Sequence, residues 1–414
     1  MKRKIDTTDY RTLAWLIIAI AISLRGIWAL VIPVIPISDS NAYDVFAWNI
    51  VAHGTYGWTP DQPASYWPVG TSAIYAFLYS LFGHTYWPIV VFNIAIGVAT
   101  IALTMHLTRQ LFNNRVAIIT GLLIAIWPSQ IMYVTVLASE LPFTFFTLAA
   151  LIVWLHDEHS IITRALLSGF LIAAAIYIRP LALLLPFVFA IICIARNEKL
   201  FNQLKLLLST FAVITLLVFP WSARNTNLWG EFVLMSTNGP VVLWMGNNPN
   251  TDGTYTKLPE WTKSLNEVER ANQLGKLAKD HITSEPIEFV TRSVFKVIKV
   301  HIRETIAVHW NTEGIKKIFG QSSILPLKII TQGYWVFIIL TAIAGGFLLY
   351  KDMKPYTFIA HPVIIIWAYY ASLNGIILAQ DRYHFPSVPF IAILSSLLIS
   401  HVLKKRFIRK NGDS

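Results

Sequence analysis

The sequence predicts an all-α integral membrane protein of about ten transmembrane helices, with interfacial helices in the first extracytoplasmic loop and a largely helical extracytoplasmic loop near residues 223–325. Three observations carry this expectation. Apolar runs of about 20 residues, each long enough to cross a bilayer core, recur along nearly the whole chain. Only 13% of the 414 residues are charged and 55% are hydrophobic, roughly half the charge share of a soluble domain. The Lys and Arg residues collect at the ends of apolar runs, in alternate connections. That placement also excludes nucleic acid as the partner behind the net charge of +11, because no soluble basic domain holds the charge.

Spans are expected at roughly 12–36, 86–107, 116–135, 139–155, 162–178, 180–196, 206–222, 326–350, 356–376 and 384–403, with boundaries good to a few residues. The start, Met1-Lys2-Arg3-Lys4, is basic. The apolar run after it is too long for a signal peptide and lacks a small-residue cleavage site, so it reads as a retained first span. With a cytoplasmic N-terminus, the inside segments carry Lys2/Arg3/Lys4, Arg109/Arg115, Arg164, Arg196/Lys199/Lys205, Lys351/Lys354 and Lys404/Lys405/Arg406/Arg409/Lys410. The short outside connections are poor in Lys and Arg apart from Arg179 and Arg382, so these two call for a reason. The absence of an Asn-x-Ser/Thr sequon agrees with a prokaryotic cytoplasmic (inner) membrane. The single cysteine, Cys193, lies in an apolar run and reads as packing.

Two outside segments are long. In 37–85, Tyr43, Phe46, Ala47, Ile50 and Val51 share one face of a short helix, with Ser38 or Asp39 as N-cap and Gly54 as its stop. A second stripe, Ile74, Phe77, Leu78, Leu81 and Phe82, repeats the spacing. Both read as helices lying at the membrane interface, joined by the Pro-rich aromatic loop Trp58–Gly70. In 223–325, Asn247–Gly253 is turn chemistry. One helix is marked by Leu265, Val268, Leu274 and Leu277, and a second opens at Pro286 and runs to about Trp310 with Lys and Arg on its polar face. The chain thus divides into an N-terminal membrane module (1–222), the 223–325 loop region, and a C-terminal membrane part with a basic tail (326–414).

Asp39 is the first candidate for chemistry, directly after the first span, with an ordinary N-cap as its structural reading. Glu140, in Ala138-Ser-Glu-Leu-Pro142, has a parallel one as a carboxylate at a helix start. Arg179, Arg224 and Arg382 each close or open a span on the same side. Snorkelling explains any one of them; together with two carboxylates they read as a site for a lipid-borne phosphate, which arginine binds bidentately. Tyr43, Tyr66 and Trp67 suit stacking on a sugar ring or anchoring at the interface. Arg25 lies deep in the first span, where a charge needs a partner, and structural pairing is favoured over catalysis. No cofactor is called for. His84, His301, His309 and His384 show no compact metal-ligand spacing, so a divalent metal stays open without being indicated.

Taken in order, Ser38-Asp39-Ser40 with Tyr43, Tyr66-Trp-Pro-Val-Gly70, Ser139-Glu140, Arg179-Pro180, Pro220-Trp221 with Arg224-Asn225, Gly246-Asn-Asn-Pro249 and Arg382-Tyr383 with Pro386 form a set. The set resembles membrane-embedded glycosyltransferases of the C-type fold, in the group containing protein O-mannosyltransferases and the lipid A aminoarabinose transferase. The resemblance covers nearly the whole chain. It implies sugar transfer from a polyprenyl-phosphate-linked donor to a protein, lipid or cell-envelope glycan outside the cytoplasm, with inversion at the anomeric carbon. The family's first loop often holds two close carboxylates. Here only Asp39 stands at the motif, with Asp44 five residues on, which puts a metal-bridging role in doubt.

The chemistry agrees with this. A sugar–phosphate bond has a good leaving group, so catalysis needs a base for the acceptor hydroxyl and positive charge on the departing phosphate. Asp39 fits the first task and Arg179 or Arg382 the second. A transporter or flippase for lipid-linked sugars would instead place ionisable groups near the midplane and show symmetry between halves; only Arg25 is deep, and no such symmetry is visible. A glycan polymerase or ligase of another membrane fold is separated by the first-loop Asp39 motif and the order of the later ones.

Overall fold

The computed structural model describes residues 7–412, and side chains from 8 to 405. The basic start at Lys2, Arg3 and Lys4, and the side chains of Arg406, Arg409 and Lys410, lie outside the described residues. The elements in order are α1 (Thr7–Val31), α2 (Asp39–His53), α3 (Gly70–Phe82), α4 (Trp87–Leu111), α5 (Asn114–Ala125), α6 (Pro128–Met132), α7 (Glu140–Leu155), α8 (Ile161–Ile178), α9 (Leu185–Ala195), α10 (Leu200–Trp229), α11 (Asn238–Gly246), α12 (Glu267–Ser284), α13 (Pro286–Ile302), α14 (Ile306–Trp310), α15 (Thr312–Phe319), α16 (Ile324–Lys351), α17 (Pro355–Ile359), α18 (Pro362–Ile376) and α19 (Val388–Gly412). No strand occurs among the described residues.

Among the described residues, α1, α4, α8, α10, α16 and α19 are long and apolar enough to cross a membrane. The run α5–α6 meets the same test as a pair bent by 57°. The bend falls where Pro128 removes a backbone donor. The spans expected at 139–155, 180–196 and 356–376 are shorter apolar helices: α7, α9 with a preceding 3-10 turn (Pro180–Leu184), and α18. The chain is a multi-pass membrane protein. Its first helix stops at Val31, short of the expected 36, because Pro33 and Pro36 follow. Arg25 is buried and donates to the carbonyls of Ala125 (3.0 Å) and Ile124 (3.3 Å) at the C-terminus of α5. Its partner is a helix end, so the structural reading of this residue holds. Cys193 is buried in the core.

The two short helices of the first loop form as expected, and α2 ends at Gly54 in the left-handed region (φ 68°). In α3 the apolar stripe faces outward. Tyr75, Ala76 and Tyr79 are buried, whereas Phe77, Leu81 and Phe82 are exposed. A stripe that packs on lipid and not on protein has this orientation in an interfacial helix. The helix sits close to the bundle at Gly70, where an added Cβ would lie 2.6 Å from the carbonyl carbon of Tyr177. Gly70→Val is therefore expected to cost on the order of 1–3 kcal/mol through overpacking, read as a lower melting temperature in detergent. An unchanged melting temperature would show that this contact yields freely.

In the 223–325 region, α12 buries Val268, Ala271, Leu274 and Ala278; Leu277 is exposed and Leu265 precedes the helix. The helix opening at Pro286 ends at Ile302 and not near Trp310. Ile306–Trp310 is a separate short helix.

Candidate functional site

A cavity of about 830 Å³ opens where the first loop, the start of α7, the turn after α8 and the connection between α18 and α19 meet. Its polar wall holds Asp39, Tyr43, Tyr66, Ser139, Arg179 and Arg382. Its apolar wall is formed by Ile178, Leu181 and Leu184 on one side and Leu373 and Ile377 on the other.

Asp39 is the first residue of α2, and its carboxylate does not cap that helix. It accepts instead from Arg382 Nη2 at 2.5 Å. The residue before it, Ser38, has φ 52° and ψ −127°, a conformation that L-residues rarely adopt and that costs on the order of 1–3 kcal/mol. This strained turn stands next to the carboxylate that faces the cavity. Glu140 opens α7 and is fully buried. Its Oε1 accepts from Arg179 Nη2 at 2.5 Å and lies 3.6 Å from Arg382 Nη1. Its Oε2 is buried without a hydrogen bond inside the protein. Arg179 sits in extended backbone between α8 and the 3-10 turn, and its Nε donates to Ser139 Oγ at 2.8 Å. The two carboxylates and two guanidiniums thus form one chain, Asp39–Arg382–Glu140–Arg179. Both arginines also lie over the Tyr383 ring, at 5.7 and 5.5 Å. Burial works against charge on Arg382, but Asp39 and Glu140 outweigh it and hold its pKa well above the ordinary value. Burial, with Asp39 nearby, pushes the Tyr43 phenol up to about 12, so it stays a neutral donor.

Of the residues expected at this site, the fold brings together Asp39, Glu140, Arg179, Arg382, Tyr43, Tyr66 and Trp67. Arg224 is the exception. It does not line the cavity. Its Nη1 donates to Ala64 O (2.7 Å), Ser65 Oγ (3.1 Å) and Asn225 Oδ1 (2.9 Å), and its guanidinium lies over Trp221 at 4.7 Å. It holds the loop that presents Tyr66 and Trp67. Glu267 of α12 fixes the same loop by accepting from Ser65 N at 2.8 Å, and burial raises its pKa.

Several supporting residues gave no sequence signal. Gln380 Oε1 accepts from Arg382 Nε at 2.8 Å. Asn374 Nδ2 donates to Tyr383 O at 3.1 Å. Buried Glu304 accepts from Trp127 Nε1 at 3.0 Å and faces His384 Nε2 at 3.6 Å, two residues after Arg382. Among the described residues no group of three or more His, Cys, Asp or Glu side chains is placed to hold a metal ion. Between the two site carboxylates stands the Arg382 guanidinium.

Residues 66–223 match the model of the dolichyl-phosphate-mannose-protein mannosyltransferase family. That segment includes Tyr66, Trp67, Glu140 and Arg179 and leaves out Asp39 and Arg382. No curated protein matches the chain. The oligosaccharyltransferase of Archaeoglobus fulgidus in its apo form is similar in structure, with a TM-score of 0.57 at 15% identity over 100% of this chain and 52% of that one. The same organism's oligosaccharyltransferase AglB, solved with an inhibitory peptide and a dolichol-phosphate, gives 0.53 at 14% identity over 97% and 51%. ArnT from Cupriavidus metallidurans, bound to undecaprenyl phosphate, gives 0.48 at 16% identity over 92% and 77%. The chain spans about half the length of the oligosaccharyltransferases it matches. It has the all-helical C-type glycosyltransferase fold that the motif order implies, and it resembles the mannosyltransferase family over the matched segment.

Proposed function

We propose that this chain is a glycosyltransferase that moves a sugar from a polyprenyl-phosphate-linked donor to an acceptor hydroxyl, with inversion. The observation that carries the reading is the chain of Asp39, Arg382, Glu140 and Arg179 at a cavity whose other wall is apolar. A sugar linked through phosphate to a prenyl tail has the matching parts: an anion for the arginines, a ring for Tyr66 and Trp67, and a hydrocarbon tail for Leu181, Leu184 and Leu373.

In the resting site Arg382 is already paired with Asp39. A donor phosphate competes for that guanidinium, since charge-assisted and bidentate contacts to phosphate are strong. Its binding draws Arg382 toward the leaving group and frees the Asp39 carboxylate. The acceptor oxygen then attacks the anomeric carbon as the carbon–oxygen bond to phosphate breaks. The phosphate leaves with the bonding electron pair, and Asp39 takes the acceptor proton. Arg382 and Arg179 stabilise the charge that develops on phosphate. Glu140, buried behind Arg179 and away from the cavity lining, is a positioning residue here. The first 222 residues then supply the base and one arginine, residues 326–414 supply the second arginine, and 223–325 cover the acceptor side.

Transfer from a panel of radiolabelled polyprenyl-phosphate sugars tests the reading. One donor is expected to release its label to an acceptor. A folded, lipid-reconstituted protein that turns over none of the panel, with or without added divalent cation, would overturn it. We place the site on the extracytoplasmic side of a prokaryotic inner membrane, because each connection at the opposite end carries Lys or Arg. An impermeant thiol reagent should label a cysteine introduced at the exposed position 61 of the first loop in intact cells and not one at 410. Labelling at 410 would reverse the orientation.

A further inference from the structure

We propose that residues 286–320 form a re-entrant hairpin. Its first helix, α13, enters the leaflet on the site's side with its outer face against lipid hydrocarbon. The inference draws on the membrane fold and not on the transferase chemistry. It also revises the expectation that the whole 223–325 segment is an extracytoplasmic loop.

The polarity of α13 is the reverse of that of its neighbour. Helix α12 buries its apolar face and exposes Glu269, Lys276, Lys279 and Asp280, as a water-facing helix does. Helix α13 exposes Ile287, Val290, Val294 and Ile298, with Phe295 and Ile302 beside them. Arg292 and Lys296 point inward, and Lys299 lies at the flank, paired with exposed Asp252. Arg292 Nη1 donates to Asn248 O at 2.9 Å. Lys296 Nζ, on a fully buried residue, donates to Asn247 Oδ1 at 2.8 Å and Ile376 O at 3.0 Å. Lys299 Nζ donates to Asp252 O at 2.6 Å. On the outer face Thr291 Oγ1 donates to Ile287 O at 2.9 Å; exposed Glu288, in the first turn, pairs with Arg292, and exposed Arg303 follows the last residue of the helix. A helix that satisfies its polar groups inward and presents branched and aromatic side chains outward is built for hydrocarbon.

The direction of α13 gives its depth. It runs antiparallel to α18, a helix of the membrane bundle. Gly375, near the site end of α18, faces Val297 and the Ser293 carbonyl. Trp367 Nε1 donates to His301 Nε2 at 2.9 Å, eight residues further down α18 and so about 12 Å deeper. At the tip the free carbonyls of α13 are met by side chains of α16. Trp335 Nε1 donates to His301 O at 2.8 Å and Gln332 Nε2 to Ile302 O at 2.7 Å. The chain leaves the tip with Glu304 N donating to Gln332 Oε1 at 3.0 Å. Non-helical backbone at membrane depth persists where protein groups satisfy it in this way. Helices α14 and α15 then return, and Gly314 of α15 packs against Pro33 O just past the end of α1. The outer face of α13 is continuous in character with α16, which exposes Ile329, Ile330, Val336 and Phe337. Lipid, not a second copy of the chain, is the occupant that this continuity selects.

The test uses the full chain in phospholipid vesicles, spin-labelled at single cysteines placed at 290, 294 and 298, with 276 on α12 as the aqueous reference. Collision rates with oxygen and with a water-soluble nickel chelate are compared. The expected result is strong oxygen and weak nickel collision at all three positions of α13, with depth increasing from 290 to 298 by about 12 Å, and the reverse preference at 276. Nickel access at 294 and 298 would place the helix in water. Equal depth at the three positions would lay it flat on the surface. Low collision with both reagents, together with dipolar broadening between labels, would assign the face to a second copy. Each of these three results overturns the proposal.

Discussion

Asp39→Asn is expected to lower the sugar-transfer rate at saturating donor by on the order of 100-fold or more, the scale of a lost general base. Donor affinity should hold or improve. The reason is the 2.5 Å pair between Asp39 and Arg382: neutralising the carboxylate releases the guanidinium that the phosphate must otherwise win. A purely structural role for Asp39 makes a different forecast. Asp39 does not cap α2, so its structural contribution is the ion pair. In the amide variant the side-chain oxygen still accepts from Arg382, and Glu140 stays 3.6 Å from that guanidinium. The amide variant should therefore melt nearly where the parent does. Transfer rate, donor KM and melting temperature are measured together. An active Asp39→Asn variant of normal stability would remove the residue from the mechanism.

The position of this site was legible because a membrane protein has few charges to choose from. Arg179 and Arg382 stood out as the exceptions to an otherwise basic-inside distribution, and Asp39 and Glu140 lay at the same end. Their convergence follows from the topology alone. Arg224 also ends a span on the same side and still lies elsewhere, since it is held by the carbonyl of Ala64 and by Ser65. A helix-end arginine reaches several places, and sequence does not choose among them. Gln380 and Asn374 gave no signal for a similar reason: a side-chain hydrogen bond leaves no periodic trace. Which face of α13 packs on the protein was not legible. Periodicity locates an apolar stripe, but in a membrane protein that stripe packs equally well on lipid or on protein. The Lys and Arg of α13 read as its polar face, and they grip the 247–253 loop and the end of α18.

The two arginines are expected to separate when each is replaced. Arg382 contacts the cavity, and its removal leaves Asp39 partly exposed to solvent and Glu140 still paired with Arg179. Arg382→Ala should therefore weaken donor binding by about 1.5–3 kcal/mol, the scale of a hydrogen bond to a charged group, with a modest change in melting temperature. Arg179→Ala should do more damage to the fold. Its partner Glu140 is 0% exposed and would keep only the longer 3.6 Å contact to Arg382, so the loss approaches the about 3–5 kcal/mol of stripping one member from a buried pair. Pairing the substitution with Glu140→Gln removes that stranded charge, so Arg179→Ala/Glu140→Gln should melt higher than Arg179→Ala alone. Donor affinity should stay low in the double variant, since the phosphate contact is still missing. Donor binding to purified protein and thermal unfolding in detergent resolve the two effects. Recovery of donor affinity together with stability would mean that Arg179 only holds the fold, and that Arg382 alone meets the phosphate.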